Sequence, residues 1–94
     1  MLSAREAERL GLVNQVVSPA ELDTVALDWA RRLLAMSPTA LALAKACLLQ
    51  AQEMPLGAGL RYEAEMYALC FSSGDCREGI RAFREKRKPQ FEGH

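Results

Sequence analysis

Phe83 and Lys86, near the end of the chain, are the residues whose side chains best suit the binding of a nucleotide. Residues three apart on a helix are neighbours on one flank. An aromatic ring can stack on a base, and an ammonium group beside it can pair with a phosphate. The structural alternative, which the pattern by itself favours, is that Phe83 packs in a core with Ile80 while Lys86 is solvated. Phe83 and Lys86 are therefore candidate binding residues, with both interpretations open.

A stripe of basic side chains lies on the same predicted helix. Arg77, Arg81, Arg84 and Lys88 recur at helical spacing, so they should share one face. Nucleic-acid binding is the functional alternative, but the 12 basic and 12 acidic residues of the chain cancel. Basic residues near the C-terminus of a helix are also favoured by its dipole. We therefore interpret the stripe as a solvated face and expect no nucleic-acid partner.

The chain offers no set of side chains for catalysis. Its one histidine, His94, is the last residue, which argues against histidine-based acid–base chemistry. Glu63 and Glu65 lie two apart, and on a helix they point to different sides. No glycine-rich phosphate-binding loop is present. We therefore name no catalytic residue.

The three cysteines, Cys47, Cys70 and Cys76, are an odd number without a CxxC spacing. They are typical of free thiols in a reducing compartment, which predicts a cytoplasmic location. A zinc site of Cys70, Cys76 and His94 would lack a fourth ligand, so no metal site is expected. No apolar run approaches the roughly 20 residues of a membrane span, and no signal-peptide pattern is present. We expect no membrane partner.

Helices account for nearly the whole chain, and three of their starts are marked in the sequence. The signals are capping boxes at 3–6 and 18–21 and the pair Ser37-Pro38. In the second box, Pro19 should occupy the first helical position, where its missing N–H costs nothing. Residues 12–17 look extended. The sequence therefore predicts an all-α fold of four to five helices with one short extended segment.

The later helices differ in character. The helix predicted from Thr39 to Met54 is apolar on almost every side, so it should be enclosed by other elements. Lys45 is its exception, and we interpret it as structural, with a packed stem and a solvated ammonium group. The last helix should begin with Asp75 as N-cap and Glu78 as capping-box partner, and it should end at Pro89.

Three segments carry recognisable patterns, in this order: SAREA…GLVNQVV at 3–17, SP…K at 37–45 and E…FSSGDCREGIRAFREKRKPQFEG at 63–93. Together they resemble the enoyl-CoA hydratase/isomerase (crotonase) family. Each segment is weak evidence alone, but the three at these separations cover nearly all 94 residues. The chain resembles the C-terminal helical region of that family, as a single region over 1–94.

The resemblance implies an enzyme that hydrates 2-enoyl-CoA thioesters in fatty-acid or related acyl-CoA metabolism. Such enzymes polarise the thioester carbonyl with two backbone N–H groups and use two glutamates for acid–base chemistry. Those groups lie in an N-terminal β/α spiral core that nothing in this chain matches. No tightly bound cofactor is implied, since the coenzyme A thioester is the substrate. We expect the chain alone to be inactive.

The resemblance gives Phe83 and Lys86 a specific role. In the family, an aromatic residue and a lysine of the last helix reach the adenine and the 3′-phosphate of coenzyme A bound mainly in a neighbouring subunit. The region also builds subunit contacts. Because family members are longer, we expect the N-terminal core to be missing from this chain. Its apolar helix should then find another chain, which predicts self-association as a dimer or higher oligomer.

A different class of protein stays open beside the enzyme. A non-enzymatic helical module for protein interaction would show the same helix pattern. A spiral core encoded upstream of this segment would favour the enzyme, and its absence would favour the module. Hydratases, isomerases, dehalogenases and ring-forming synthases share this tail. We therefore expect hydration only because hydratases are the commonest members of the family.

Overall fold

The computed structural model describes residues 1–94 and contains five α-helices and no β-strand. The helices are α1 (Ala4–Arg9), α2 (Leu22–Leu34), α3 (Pro38–Gln50), α4 (Leu56–Ser72) and α5 (Gly74–Glu85). The prediction of an all-α fold is confirmed. Residues 12–17, predicted to be extended, are non-helical, with bends at 12–14 and no strand pairing. The chain divides into two compact units, an N-terminal unit (residues 1–32) and a C-terminal unit (residues 33–94).

The N-terminal unit begins with the predicted capping box. The amide of Glu6 donates to Ser3 Oγ at 3.2 Å, and Glu6 Oε2 accepts from the Ser3 amide at 2.9 Å. Helix α1 ends in a left-handed turn at Gly11 (φ 75°), with the Leu12 amide donating to the Ala7 carbonyl at 2.8 Å. These bonds satisfy backbone groups that a helix end otherwise leaves without partners.

The segment after Gly11 is fastened by side chains. The amide of Val16 donates to Glu8 Oε1 at 2.8 Å, and the indole N–H of Trp29 donates to Gln15 Oε1 at 3.1 Å. The non-helical segment therefore has a partner on α1 and another on α2, although it pairs with no strand.

The start of α2 differs from the prediction. The helix begins at Leu22, so Pro19 lies in a preceding turn and not at the first helical position. Ser18 Oγ donates to Glu21 Oε2 at 2.5 Å, while the Glu21 amide donates to the Ser18 carbonyl at 3.0 Å. Because a backbone turn satisfies the amide that a serine cap would bind, the second box is only half formed.

The C-terminal unit consists of α3, α4 and α5, with α4 packed against both of the others. Helix α3 begins at Pro38 as predicted, and Ser37 Oγ accepts from the Ala40 amide at 3.1 Å. The helix ends at Gln50 and not at Met54, because residues 51–54 form turns with backbone bonds such as Glu53 N–H to the Gln50 carbonyl at 3.0 Å.

The core is small. Ala82 is the only buried hydrophobic residue, and twenty large hydrophobic side chains are exposed. Helix α3 is not enclosed within this chain, because Leu48 and Leu49 are exposed. This agrees with the expectation that the apolar helix lacks a covering element when the N-terminal core is missing. Lys45 is exposed, in line with a solvated ammonium group. A chain that buries so little apolar surface leaves most of its hydrophobic driving force for packing against something else.

No single helix is long and apolar enough to cross a membrane. Helices α2 and α3 pass that test only when they are counted together across the break between them, on length and composition alone.

Replacement of Ser37 by alanine tests the start of α3. The variant loses the helix cap and one hydrogen-bond donor to a buried carboxylate, so we expect a loss of about 1–2 kcal/mol in the free energy of unfolding. Urea unfolding followed by circular dichroism measures it. Ser72→Ala is the matched control, because its hydroxyl donates only to the Leu69 carbonyl at an exposed position. An equal loss in both variants would contradict the assignment.

Candidate functional site

Two buried carboxylates lie in the first half of α5. Asp75 is 3% exposed and Glu78 is 9% exposed, and they are the only buried polar residues of the chain. The prediction that Asp75 caps the helix with Glu78 as partner is wrong. Ser73 is the N-cap, and its hydroxyl accepts from the Cys76 amide at 3.1 Å. The two carboxylates are thereby free to bind other parts of the chain.

Asp75 holds the end of the chain against the starts of α3 and α5. Its Oδ2 accepts from Ser37 Oγ at 2.6 Å, and its Oδ1 accepts from the amides of Glu92 and Gly93 at 2.9 and 3.0 Å. Its own amide donates to the His94 carbonyl at 2.9 Å. The hydroxyl of Ser37, followed by the two tail amides, holds the pKa of Asp75 well below its ordinary value.

The tail lies so close to α5 that a side chain would not fit beneath it. A Cβ atom at Gly74 would lie 2.8 Å from the backbone oxygen of His94. Glycine is therefore needed here for close approach of two backbones.

Glu78 binds the segment that follows α5. Its carboxylate pairs with both terminal nitrogens of Arg87, at 2.6 and 3.0 Å, and with Arg81 Nη2 at 2.7 Å. Its Oε1 also accepts from the Gln90 amide at 2.8 Å. Hydrogen bonds from Arg87 first, then from the Gln90 amide and from Arg81, hold the pKa of Glu78 well below its ordinary value. The same pairing, with a further bond to Glu85, raises the pKa of Arg87.

Helix α5 ends at Glu85 and not at Pro89. Lys86 adopts the left-handed conformation (φ 55°, ψ 40°), which only a small fraction of residues other than glycine adopt. The Lys86 amide donates to the Phe83 carbonyl at 3.2 Å, and the Arg87 amide donates to the Ala82 carbonyl at 3.0 Å. This pair of bonds defines a Schellman motif, so Lys86 leaves the helical path.

The two candidate binding residues are both exposed at this helix end. Phe83 is 85% exposed, and Ile80 is exposed as well, so the alternative in which Phe83 packs in a core with Ile80 is wrong for this chain. Lys86 is exposed beyond the last turn. The argument from helical spacing fails for Lys86, because the helix has already ended. What places it near Phe83 is the backbone bond between them.

The basic stripe is shorter than predicted. Arg77, Arg81 and Arg84 line one shallow cleft of about 610 Å³ on α5. Lys88 lies beyond the helix and does not join them. Arg77 Nη1 donates to the Ser72 carbonyl at 2.9 Å, and Arg81 pairs with Glu78. Two of the three guanidinium groups are thus engaged within the chain.

An apolar groove of about 530 Å³ runs between α3 and α4. Its lining is almost entirely hydrophobic and includes Leu43, Cys47, Leu48, Met54, Leu60 and Cys70. All three cysteines are free thiols. No group of three or more histidine, cysteine, aspartate or glutamate side chains is placed to hold a metal ion. The groove is therefore suited to packing against apolar groups.

The sequence and the fold both match one family. Residues 1–94 match the family model described as enoyl-CoA hydratase/isomerase. The 2,3-dehydroadipyl-CoA hydratase of Escherichia coli is 41% identical over 93 residues, which are 98% of this chain and 36% of that protein. The short-chain-enoyl-CoA hydratase of Clostridium acetobutylicum is 37% identical over 87 residues, which are 93% of this chain and 33% of that protein.

Solved structures superpose on nearly the whole chain. An enoyl-CoA hydratase subunit from Geobacillus kaustophilus aligns with a TM-score of 0.88 and 46% identity, over 98% of this chain and 36% of its own. An enoyl-CoA hydratase from Bacillus anthracis aligns with a TM-score of 0.91 and 35% identity, over 98% of this chain and 36% of its own.

These matches define a crotonase-fold helical region, as the sequence patterns predicted. The chain belongs to the enoyl-CoA hydratase/isomerase family. It spans about a third of the length of the curated relatives that it matches.

Acid should weaken the fold through the two buried carboxylates. Their pKa values are lowered in the folded chain, so the unfolded chain takes up protons first as the pH falls. We expect stability to be constant above about pH 6 and to fall as the pH drops through the ordinary carboxyl pKa values of 3.8 and 4.5. Urea midpoints measured from pH 7 to pH 3 test this.

The matched variants for this pH series are Glu78→Gln and Glu65→Gln. Glu78→Gln should lower the urea midpoint at neutral pH and reduce its decline in acid, because one of the responsible carboxylates is gone. Glu65 is exposed and forms none of the ion pairs, so its variant should follow the unmodified chain. A decline in Glu78→Gln as steep as in the unmodified chain would contradict the expectation.

Proposed function

We propose that this chain forms the helical region of an enzyme that hydrates 2-enoyl-CoA thioesters, and that it contributes contacts to coenzyme A through Phe83 and Lys86. The observation that supports the proposal is the pair of exposed side chains at the end of α5. An 85% exposed phenylalanine offers a face for the adenine, and the lysine offers a cation for the 3′-phosphate.

The chemistry of hydration belongs to residues outside this chain. The chain holds one histidine, at position 94, and its two buried carboxylates are already bound to amides, a hydroxyl and guanidinium groups. Neither carboxylate is free to activate water. We therefore assign the chain a binding and packing role, and we assign the oxyanion hole and the acid–base glutamates to the spiral core that the family resemblance implies.

The apolar faces of α3 and α4 support the second part of the role. Leu48, Leu56 and Leu60 are exposed along the groove between these helices. We propose that this surface packs against the spiral core in the whole enzyme. In the isolated chain the same surface should bind a second copy, because burial of exposed leucine is favourable wherever a complementary surface is available.

A helical interaction module is the competing function. The same exposed groove favours it, because a surface of this kind would receive an amphipathic helix of any partner. The two proposed functions make different predictions for the end of α5, since only the enzyme proposal gives Phe83 and Lys86 a nucleotide ligand.

Coenzyme A binding tests the proposed contact. We expect coenzyme A to shift the amide NMR signals around Phe83 and Lys86, and 3′-dephospho-coenzyme A to bind about tenfold more weakly, because a charge-assisted contact is lost. Lys86→Gly should remove this difference between the two ligands. Glycine is chosen because it adopts the left-handed conformation without strain, so the turn is kept and only the ammonium group is lost.

Lys88→Gly is the control for coenzyme A binding. It removes the same charge two residues away, from a position outside α5. It should preserve the preference for the 3′-phosphate. Equal affinity of the unmodified chain for both ligands, or an equal loss in both glycine variants, would contradict a specific role for Lys86.

Self-association of the isolated chain tests the apolar surface. We expect light scattering at micromolar concentration to give a mass at least twice the 10.4 kDa of the monomer. Leu48→Glu places a charge on the α3–α4 groove and should shift the chain toward monomer, because the charge would lose water on association. Leu12→Glu is the control, an exposed leucine outside this groove. A monomeric unmodified chain would contradict the proposal.

A further inference from the structure

Lys86 is the only residue other than glycine with a positive φ angle. The other helix end with a left-handed residue has glycine there. Helix α1 ends in the same motif, with Gly11 at the left-handed position and the Leu12 amide bonded to the Ala7 carbonyl. A lysine at the equivalent place in α5 is conformationally less favourable, since a Cβ atom crowds the neighbouring carbonyl oxygen. Something else must therefore hold the turn.

The structure supplies a clamp across this turn. Arg87, the residue directly after Lys86, bonds through its amide to Ala82 and through both terminal guanidinium nitrogens to Glu78. Glu78 also accepts from the Gln90 amide, three residues further along. The chain after Lys86 is thus tied at two points to the helix before it. Glu78 is 9% exposed, so water competes little for these bonds.

The two bonds between Arg87 and Glu78 fix the orientation of the arginine side chain. A carboxylate and a guanidinium group that meet through two parallel bonds fix orientation as well as distance. Arg81 contacts the same carboxylate from within α5, at 2.7 Å, and so limits its rotation. Lys86 lies between the last turn of α5, which precedes it, and Arg87, which follows it and is bonded to Glu78 and Ala82. The direction of the Cα–Cβ bond of Lys86 relative to α5 is thereby fixed.

We propose that Glu78, acting through Arg87, is a positioning residue that holds Lys86 in the left-handed turn from which its ammonium group meets the 3′-phosphate of coenzyme A. This inference rests on the proposed function. Glu78 does not contact the ligand. Its role is to fix the backbone from which the lysine side chain extends, so that binding does not have to order the turn as well.

Arg87→Met tests the clamp from its more exposed side. The Arg87 side chain is 36% exposed, and its removal leaves Glu78 with Arg81 and the Gln90 amide as partners. We expect the variant to stay folded. The three-bond amide–Hα coupling and the Cα chemical shift of Lys86, which report φ, should move away from the left-handed values. The preference for coenzyme A over 3′-dephospho-coenzyme A should fall at least threefold.

Arg84→Met is the matched control, since it removes the same charge from the same helix but forms none of the ion pairs. It should leave the φ of Lys86 and the phosphate preference unchanged. Glu78→Gln, which removes the other half of the clamp, should act in the same direction as Arg87→Met.

The outcomes separate the two proposals. If the unmodified chain does not distinguish coenzyme A from its dephosphorylated form, the proposed function fails. If it does, and Lys86→Gly removes the distinction while Arg87→Met keeps it, the positioning role is overturned and the proposed function stands. An unchanged φ of Lys86 in folded Arg87→Met overturns the positioning role by itself.

Discussion

The C-terminal unit depends on the hydrogen bonds of one carboxylate. Asp75 joins the hydroxyl that caps α3 to the two amides of Glu92 and Gly93, and its own amide binds the last carbonyl of the chain. Three separate pieces of backbone therefore meet at a side chain that is 3% exposed. A buried carboxylate is stable only when its oxygens are satisfied. Loss of any of these partners leaves a charge that the site cannot otherwise accommodate.

Glu78 repeats this device one turn further along α5, and it connects the fold to the candidate site. The same carboxylate that binds Arg87 and the Gln90 amide lies at the base of the turn that carries Lys86. Stability and the proposed ligand contact thus depend on one short stretch. The apolar side chains of the unit differ from these buried carboxylates, because its leucines are mostly exposed and its apolar groove is open. Polar bonds hold the end of this chain, while most of its large apolar side chains stay exposed.

Local signals were sufficient for much of the fold. The capping box at Ser3 and the serine–proline start at Ser37 are confirmed, because both depend on residues within four positions of each other. The second box was only half right, since a backbone turn took the amide of Glu21. Asp75 was misassigned for a related reason. An acidic residue at the start of a helix can either cap that helix or accept hydrogen bonds from distant parts of the chain. Only the distant partners Ser37 and Gly93 show that Asp75 has the second role.

The sequence by itself determined the helical class and the family, and it named Phe83 and Lys86 as candidates without deciding whether Phe83 is buried or exposed. The helical class follows from short-range periodicity, and the family follows from motifs whose order is visible along the chain. Only the tertiary structure decided that α5 stops at Glu85, that Lys86 turns into the left-handed region and that Arg87 closes back on Glu78. The physical reason is range: the Glu78–Arg87 pair joins residues nine apart across the helix end, and short-range periodicity does not indicate such a pair.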